Sequence, residues 1–211
     1  MEAKLLLIPW MASVLYSSIP FFWFAIHPFA GAWQRKHRSP YRLLLPIWAI
    51  IIFLLGWITW PWHSARLYSS SWMWAPAALL LLFGFSIYSR IRSGFGAHKL
   101  SGEAEVRPRE HAQGLVITGL HAHMRHPIYA AHLLNLAGWA IGSGLLVAYT
   151  LFAIDLFITF PLMIMLEERE LAARFGNSYR EYQSTVPLLP FFRARRKGNG
   201  VKQSSAGTEP A

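Results

Sequence analysis

The chain of 211 residues contains no cysteine and few charged side chains. The absence of cysteine excludes disulfide bonds, a thiolate nucleophile, Cys-ligated zinc and iron–sulfur clusters from this chain. Lys, Arg, Asp and Glu make up 14% of the residues, whereas a soluble domain carries about 25%. Apolar residues make up 54%, ten residues are tryptophan and the mean hydropathy is +0.30. This composition indicates a protein that is embedded in a lipid bilayer.

Five apolar runs, each close to the length of a membrane-spanning helix, follow one another along the chain. They extend over residues 5–33, 43–62, 72–88, 127–141 and 145–166. Pro20 and Pro28 are expected to bend or divide the first run, because proline cannot donate a helical hydrogen bond. The last two runs are separated only by Gly142-Ser143-Gly144, which predicts an antiparallel helical hairpin. We therefore predict an all-α, polytopic membrane bundle of about five transmembrane helices.

Lys and Arg residues are concentrated in alternate gaps between these runs. Four lie in 34–42, one in 63–71, six in 89–125, none in 142–144 and eight after Leu166. Because cytoplasmic loops carry an excess of Lys and Arg, this alternation predicts an N-terminus outside and a C-terminus in the cytoplasm. We therefore attribute the net charge of +10 to contact with membrane lipids and not to binding of nucleic acid.

The same runs divide the chain into three predicted regions. Residues 1–88 are expected to form three transmembrane helices on the substrate side. Residues 89–192 contain a polar cytosolic loop, the helical hairpin and an amphipathic C-terminal helix that begins near Glu167, and they are expected to form the cofactor site. Residues 193–211 are basic and then rich in glycine and serine, which predicts a disordered tail.

Two polar motifs flank the hairpin. Arg-His-Pro-Ile-Tyr stands at 125–129, and Glu-Glu-Arg-Glu-Leu stands at 167–171. An antiparallel hairpin brings both segments to one membrane face, where Arg and His can meet a carboxylate and Glu can meet an ammonium or hydroxyl group. The arrangement therefore predicts a site for a zwitterionic ligand. His121, His123 and His126 lack the spacing of a metal site, and no metal is predicted.

These motifs resemble a known family. Arg-His-Pro-x-Tyr, the apolar hairpin, Glu-Glu-x-x-Leu and then Phe-Gly-x-x-Tyr-x-x-Tyr at 175–182 with Pro187 are similar to the isoprenylcysteine carboxyl methyltransferase and phospholipid methyltransferase family of integral membrane methyltransferases. The resemblance covers roughly residues 116–190, about a third of the chain. The chain differs from the family at Leu120-His121, where Pro-Tyr is common, and at Ala131, where glycine is common.

The resemblance implies an enzyme that uses S-adenosylmethionine, bound on the cytosolic side between the two motifs, and a lipid-like or small apolar acceptor that enters from the bilayer. The cofactor contacts that it implies are Arg125, His126, Pro127, Tyr129, Glu167 and Glu168. No catalytic residue is assigned, since a carboxylate acceptor requires no general base. An amine or thiol acceptor must lose a proton, for which His126, Glu168 and a water molecule are all open.

Two alternatives to a methyltransferase stay open. An NADPH-dependent membrane reductase of the sterol-reductase type resembles the same hairpin, although Ile128, Ala130 and Ala131 disfavour it. A non-catalytic membrane protein can keep the fold without the activity.

The following polar residues are expected to have structural roles, although a functional role stays open for Asp155 and His132. These are Tyr179 and Tyr182 at the membrane interface, Glu170 and Arg174 as a surface ion pair, and Asp155, His132 and Asn135 in contacts between helices.

Overall fold

The computed structural model describes residues 2–29, 31–33, 41–94 and 114–189. Within these ranges the chain forms the helices α1 (Glu2–Phe24), α2 (Tyr41–Thr59), α3 (Trp74–Gly94), α4 (Pro127–Ser143), α5 (Leu146–Ile154), α6 (Phe160–Phe175) and α7 (Asn177–Thr185). The same ranges contain no β-sheet, and Arg66 and Leu145 form an isolated bridge. Residues 95–113 of the predicted loop and the predicted tail at 193–211 lie outside the described residues.

Four of the described helical segments are long and apolar enough to cross a membrane. They are Leu5–Phe24, Tyr41–Trp62, Ser71–Ile91 and Leu146–Phe175. The predicted all-α, polytopic membrane bundle is therefore confirmed. The remaining predicted span corresponds to α4, which has 17 residues and is about 26 Å long at a rise of about 1.5 Å per residue. It is slightly shorter than the hydrocarbon core of a typical bilayer, which is about 30 Å thick.

Helix α4 is the central helix of the bundle. It packs along α3 and also contacts α1 and α5, and its buried residues include His132 and Asn135. The approach to α3 is close, because a Cβ atom on Gly138 would lie 2.8 Å from the Leu81 side chain. Small residues permit such contacts between membrane helices. Since neighbouring helices shield α4 from lipid, it can carry polar side chains that a lipid-exposed helix excludes.

The outer surface of the bundle is apolar. Trp57 on α2 and Leu79 on α3 are exposed, and Phe157 in the hairpin has 74% of its surface exposed. Exposed aromatic and aliphatic side chains in this number destabilise a protein in water, but they contact acyl chains favourably in a bilayer. The surface therefore agrees with the integral membrane location that the composition predicts.

Helix α1 extends through one of its predicted break points. The sequence predicts that Pro20 and Pro28 bend or divide the first apolar run, whereas α1 contains Pro20 and ends at Phe24, before Pro28. Membrane helices tolerate proline because neighbouring helices can satisfy the freed backbone groups. The continuous helix places its C-terminal half against α4 and α6.

Helices α5 and α6 form one continuous segment, in which a π-helical turn at Asp155–Thr159 joins the two α-helical parts. The missing N–H of Pro161 disturbs the α-helical hydrogen bonds of this turn, which accounts for its wider geometry. The sequence predicts that this arm ends at Leu166, whereas the helix continues to Phe175. No glycine or proline lies between residues 162 and 175 to stop it, so the Glu-Glu motif extends the hairpin arm itself.

The turn of the hairpin confirms the predicted antiparallel arrangement. Gly144 ends α4 with a φ of +67°, a left-handed conformation that glycine adopts without strain. The loop between α2 and α3 covers this turn through hydrogen bonds from Leu67 N to Gly144 O (2.8 Å) and from Leu146 N to Ala65 O (2.9 Å). These contacts fix the end of the bundle that lies opposite the two polar motifs.

Gly144→Ala is expected to lower the free energy of unfolding by about 1–3 kcal/mol. The left-handed φ strains alanine, and its Cβ atom would lie 2.5 Å from Tyr68 O. Thermal unfolding in detergent measures the change. Gly56→Ala in α2 is the matched control, because a Cβ atom there meets only ordinary contacts with Trp10 at 3.8 Å. Equal unfolding temperatures for the two variants would contradict the prediction.

Candidate functional site

Arg125 connects three separate segments of the chain by hydrogen bonds at the polar end of the hairpin. Its Nε donates to Glu168 Oε1 at 2.8 Å, and one terminal nitrogen donates to Gln183 O at 3.0 Å and Val186 O at 2.6 Å. Its backbone N–H also donates to Pro187 O at 2.9 Å. Arg125 therefore clamps the chain after α7 against the start of α4, and only 11% of its side chain is exposed.

Glu168 accepts hydrogen bonds from three residues of this cluster. Oε1 accepts hydrogen bonds from Arg125 and His126 Nε2, the latter at 3.2 Å, and Oε2 accepts from Gln183 Nε2 at 2.8 Å. Both carboxylate oxygens are thus used by protein donors. Such charge-assisted hydrogen bonds are stronger than neutral ones, so Glu168 holds its neighbours in place.

His126 lies between the two carboxylates of the Glu-Glu motif. Its Nδ1 is 3.3 Å from Glu167 Oε2 and its Nε2 is 3.2 Å from Glu168 Oε1. Burial lowers the pKa of His126, but the charges and hydrogen bonds of Glu167 and Glu168 outweigh burial and raise it to about 9. The imidazole is therefore protonated at neutral pH and donates from both nitrogens. An imidazole in this state cannot accept a proton, so His126 does not fit the general base that the sequence leaves open.

Tyr129 completes the arrangement of Glu167. The Tyr129 ring stacks on the His126 ring with a centroid separation of 5.3 Å and an interplanar angle of 3°. Its hydroxyl donates to Glu167 Oε2 at 2.5 Å. The other oxygen of Glu167, Oε1, makes no hydrogen bond within the described ranges, and 24% of the side chain is exposed. Glu167 therefore retains an acceptor for a ligand.

A cavity of about 460 Å³ opens beside this cluster, within the usual size range of small-molecule sites. Five of the six predicted contacts line it: Arg125, His126, Pro127, Tyr129 and Glu167. Pro127 occupies the first helical position of α4, where its missing N–H costs nothing. Glu168 does not line the cavity, and its carboxylate contacts Arg125, His126 and Gln183. The hairpin thus brings the predicted residues together, but only Glu168 among them does not face the cavity.

The opposite wall of the cavity comes from α1, which the sequence interpretation does not include in the site. Tyr16, Ile19, Trp23 and His27 line it. Tyr16, Ile19 and Trp23 are spaced by three and four residues, which places them on one face of α1, and His27 follows in the turn after the helix. His27 is buried and its ring stacks on Trp23 with centroids 5.3 Å apart. This periodic set of amphipathic side chains within an apolar run is the signal that could have identified the wall.

The inner end of the cavity is built around His132. Its Nε2 lies 2.9 Å from Tyr16 O and its Nδ1 lies 3.3 Å from the Tyr88 hydroxyl. A carbonyl only accepts, so the neutral ring donates from Nε2 and its Nδ1 accepts from Tyr88. His132 thus makes the interhelical contacts that the sequence predicts and also lines the cavity.

Asp155 and Asn135 lie elsewhere in the bundle. Asp155 is buried close to Ser17 of α1 and Thr159 and does not line the cavity. Asn135 packs against Gly84 of α3, where a Cβ atom would approach Asn135 Oδ1 to 2.6 Å. The Asn135 amide has no hydrogen-bond partner within the part of the chain that the structure describes. Both residues therefore lie outside the site.

Two residues of α7 lie inside the protein and not in the interfacial position that the sequence predicts. Tyr179 and Tyr182 are buried and line the cavity. The Tyr182 hydroxyl donates to His121 O at 2.7 Å, and burial raises the pKa of Tyr182 to about 12. The helix breaks at Gly176 and folds α7 back onto α6, which removes these rings from the membrane surface.

The predicted surface pair of Glu170 and Arg174 is also partly buried. Arg174 lies 3.5 Å from Glu170 Oε1, with 21% and 13% of the two side chains exposed, respectively. Arg174 lines the cavity together with Leu171 and Phe175 of the same helix. The i,i+4 pairing is therefore as predicted, but Arg174 faces the cavity and neither side chain is fully exposed to solvent.

The fold and the cavity define an integral membrane helical bundle that carries a charged cluster at one end of its hairpin. A protein-S-isoprenylcysteine O-methyltransferase from Schizosaccharomyces pombe is similar to this chain, with 31% identity over an alignment of 136 residues. The alignment covers 54% of this chain and 55% of the relative, so the chain spans about half the length of the curated relative it matches. The resemblance to isoprenylcysteine methyltransferases is thereby confirmed. No family model matches the chain, and no solved structure matches it.

Proposed function

We propose that this protein is a membrane methyltransferase that uses S-adenosylmethionine and methylates a lipid-like or small apolar acceptor. One observation carries the proposal: the two predicted motifs converge on one cavity, where Glu167 keeps an available carboxylate oxygen beside the protonated His126. The similarity to an isoprenylcysteine O-methyltransferase supports the same class of reaction.

The residues around the cavity fit the chemical groups of this cofactor. The available Glu167 oxygen suits an ammonium or the hydroxyl groups of a ribose. Phe175, Tyr179, Tyr182 and Trp23 supply aromatic faces for an adenine ring. Tyr129 and His126 hold Glu167 in one orientation, and Glu168 holds His126 in turn.

S-adenosylmethionine supplies an electrophilic methyl group when it is bound. The protein has then to orient the acceptor and exclude water. The inner end of the cavity, formed by Tyr16, Tyr88 and His132 within the membrane bundle, suits an acceptor that arrives from the bilayer. Glu168 uses both oxygens for protein donors and His126 is protonated, so neither serves as a general base. This favours a carboxylate acceptor, which requires none.

We also propose the division of the chain that the sequence predicts. Residues 114–189 supply the charged half of the cavity, and α1 and α3 supply its membrane-embedded half. On this proposal, the methyl donor binds at the cytosolic face and the acceptor binds beside the helices of residues 1–88, of which α1 and α3 line the cavity.

Calorimetric titration of the detergent-purified protein tests the proposal. We expect saturable binding of S-adenosylmethionine and no binding of NADPH. Binding of NADPH alone would favour a membrane reductase. Binding of neither ligand would favour a non-catalytic membrane protein.

Glu167→Gln is expected to weaken S-adenosylmethionine binding by about 10- to 100-fold, since a hydrogen bond to a charged group contributes about 1.5–3 kcal/mol. The variant keeps the size of the side chain and removes its charge. Glu181→Gln is the matched control, because Glu181 is exposed on α7 and does not line the cavity. Unchanged affinity of the Glu167 variant would show that this carboxylate does not bind the cofactor.

The absence of cysteine allows a direct test of orientation. Ser64→Cys lies in the loop between α2 and α3, Ser184→Cys lies on α7, and both positions are exposed. With the proposed topology, a membrane-impermeant maleimide labels the first variant in intact cells and labels the second only after the membrane is permeabilised. The reverse pattern would place the charged cluster outside the cytoplasm.

A further inference from the structure

Among the residues that the structure describes, two arginines line the cavity, Arg125 and Arg174. The sequence interpretation assigns a ligand carboxylate to Arg125 or His126. In the structure, Arg125 donates to Glu168 and to two backbone carbonyls, and His126 donates to both carboxylates of the Glu-Glu motif. The protein therefore already uses both ring nitrogens of His126 and two of the three guanidinium nitrogens of Arg125.

Arg174 is the other arginine in the lining of the cavity. Its contact with Glu170 is 3.5 Å long, whereas a strong charge-assisted hydrogen bond is about 2.7–2.9 Å long. Its Nε is buried and makes no hydrogen bond to any residue that the structure describes. Its guanidinium carbon lies 4.6 Å from the centroid of the Phe175 ring, a cation–π contact that orients the guanidinium plane. Arg174 is thus positioned by an aromatic ring and retains donor capacity.

The position of Arg174 relative to Glu167 matches a zwitterionic ligand. Helical side chains lean toward the N-terminus of their helix, and the Arg174 guanidinium accordingly lies beside Glu170, one turn back. Glu167 precedes Glu170 by three residues on the same helix, a rise of about 4.5 Å at about 1.5 Å per residue. An available carboxylate and a cation therefore lie about one helical turn apart along the same cavity wall.

We propose that Arg174 is the carboxylate-binding residue of this cavity. The spacing from Glu167 favours the carboxylate of the amino-acid part of the methyl donor, with its ammonium at Glu167. A carboxylate on the acceptor has the same chemistry and is the other possible source. The proposal rests on the proposed function, because it assigns one residue within the same site.

The test compares ligands that differ only in the carboxylate. S-adenosylmethionine and decarboxylated S-adenosylmethionine are titrated by calorimetry into the wild-type protein and into Arg174→Gln, Arg174→Lys and Arg169→Gln. Arg169 is the matched control, because it is exposed on the same helix and does not line the cavity. Thermal unfolding of each variant verifies that it is folded.

We expect Arg174→Gln to weaken binding of S-adenosylmethionine by about 10- to 100-fold and to leave binding of the decarboxylated compound unchanged. Arg174→Lys restores part of the affinity, since lysine keeps the charge but not the bidentate geometry. A parallel arm measures binding of a prenylated cysteine and of its carboxamide to the same variants. A selective loss for the prenylated cysteine alone would assign the carboxylate to the acceptor.

Equal effects on each ligand and its carboxylate-free analogue, in both arms, would overturn the proposal. The wild-type protein is expected to bind S-adenosylmethionine. If Arg174→Gln changes neither this affinity nor the affinity for the prenylated cysteine, the role of Arg174 is overturned and the proposed function is not. Wild-type protein that binds neither donor compound would overturn the proposed function as well.

Discussion

Arg125→Gln is expected to lower the free energy of unfolding by about 3–5 kcal/mol, the usual loss when one partner of a buried ion pair is removed. The substitution removes the donor for Glu168 Oε1 and for the carbonyl groups of Gln183 and Val186. Because 11% and 16% of the Arg125 and Glu168 side chains are exposed, some water reaches the pair and the lower end of this range is expected. Thermal and denaturant unfolding in detergent measures the loss.

The double variant Arg125→Met, Glu168→Met distinguishes a lost ion pair from lost packing. Removing both partners leaves no uncompensated charge between Arg125 and Glu168, and replacement by apolar residues of similar size is often close to neutral. We therefore expect the double variant to be less destabilised than the sum of the two single variants. Strict additivity would mean that the two side chains stabilise the protein independently. Arg169→Gln, on the exposed face of α6, is the control for a general effect of charge.

The loss of the Arg125 hydrogen bonds is also expected to affect ligand binding at the site. Losing the side-chain hydrogen bonds to Gln183 O and Val186 O loosens the end of α7, the helix that carries Tyr179 and Tyr182. Both rings line the cavity. Arg125→Gln is therefore expected to weaken ligand binding through the position of these two rings.

Much of the fold follows from periodicity and turn chemistry in the sequence. The apolar runs predict the membrane helices because a segment of about 20 apolar residues is stable only across a bilayer. The left-handed φ of Gly144 is available to glycine with little cost, which makes the hairpin turn visible in the sequence. The end of the second arm was not predictable by the same means, since the charged residues after Leu166 change polarity without breaking the helix.

The candidate site was predictable only in part. The hairpin geometry predicts that residues 125–129 and 167–168 meet, and the structure brings them together. Which carboxylate faces the cavity depends on the rotation of α6 about its axis, and adjacent residues on a helix differ in direction by about 100°. Glu167 and Glu168 are therefore indistinguishable in the sequence. The periodic side chains of α1 are visible in the sequence, but the contacts that bring them to the site join residues more than 100 positions apart, such as His132 with Tyr16, and no local pattern encodes those contacts.

Raising the pH through about 9 is expected to destabilise the folded protein through His126. Burial lowers the pKa of His126, but Glu167 and Glu168 outweigh burial and raise it to about 9, from about 6.5 in an unfolded chain. A raised pKa means that the folded state binds the proton more tightly, so the stabilisation is complete below about pH 6.5 and is lost as the pH rises through about 9. At about 1.4 kcal/mol per pKa unit, the loss is on the order of 3 kcal/mol.

Unfolding temperatures measured in detergent between pH 6 and pH 10 test this expectation. The variant His126→Gln keeps an amide donor for one carboxylate but has no titratable proton, so it is expected to be less stable at pH 7 and to lose less stability by pH 10. His123→Gln is the matched control, because His123 is exposed three residues earlier and is expected to follow the wild-type profile. If the His126 variant also followed the wild-type profile, the proton would not be shared among His126, Glu167 and Glu168. The His126 ring would then be neutral at pH 7 and would donate a hydrogen bond to only one of the two carboxylates.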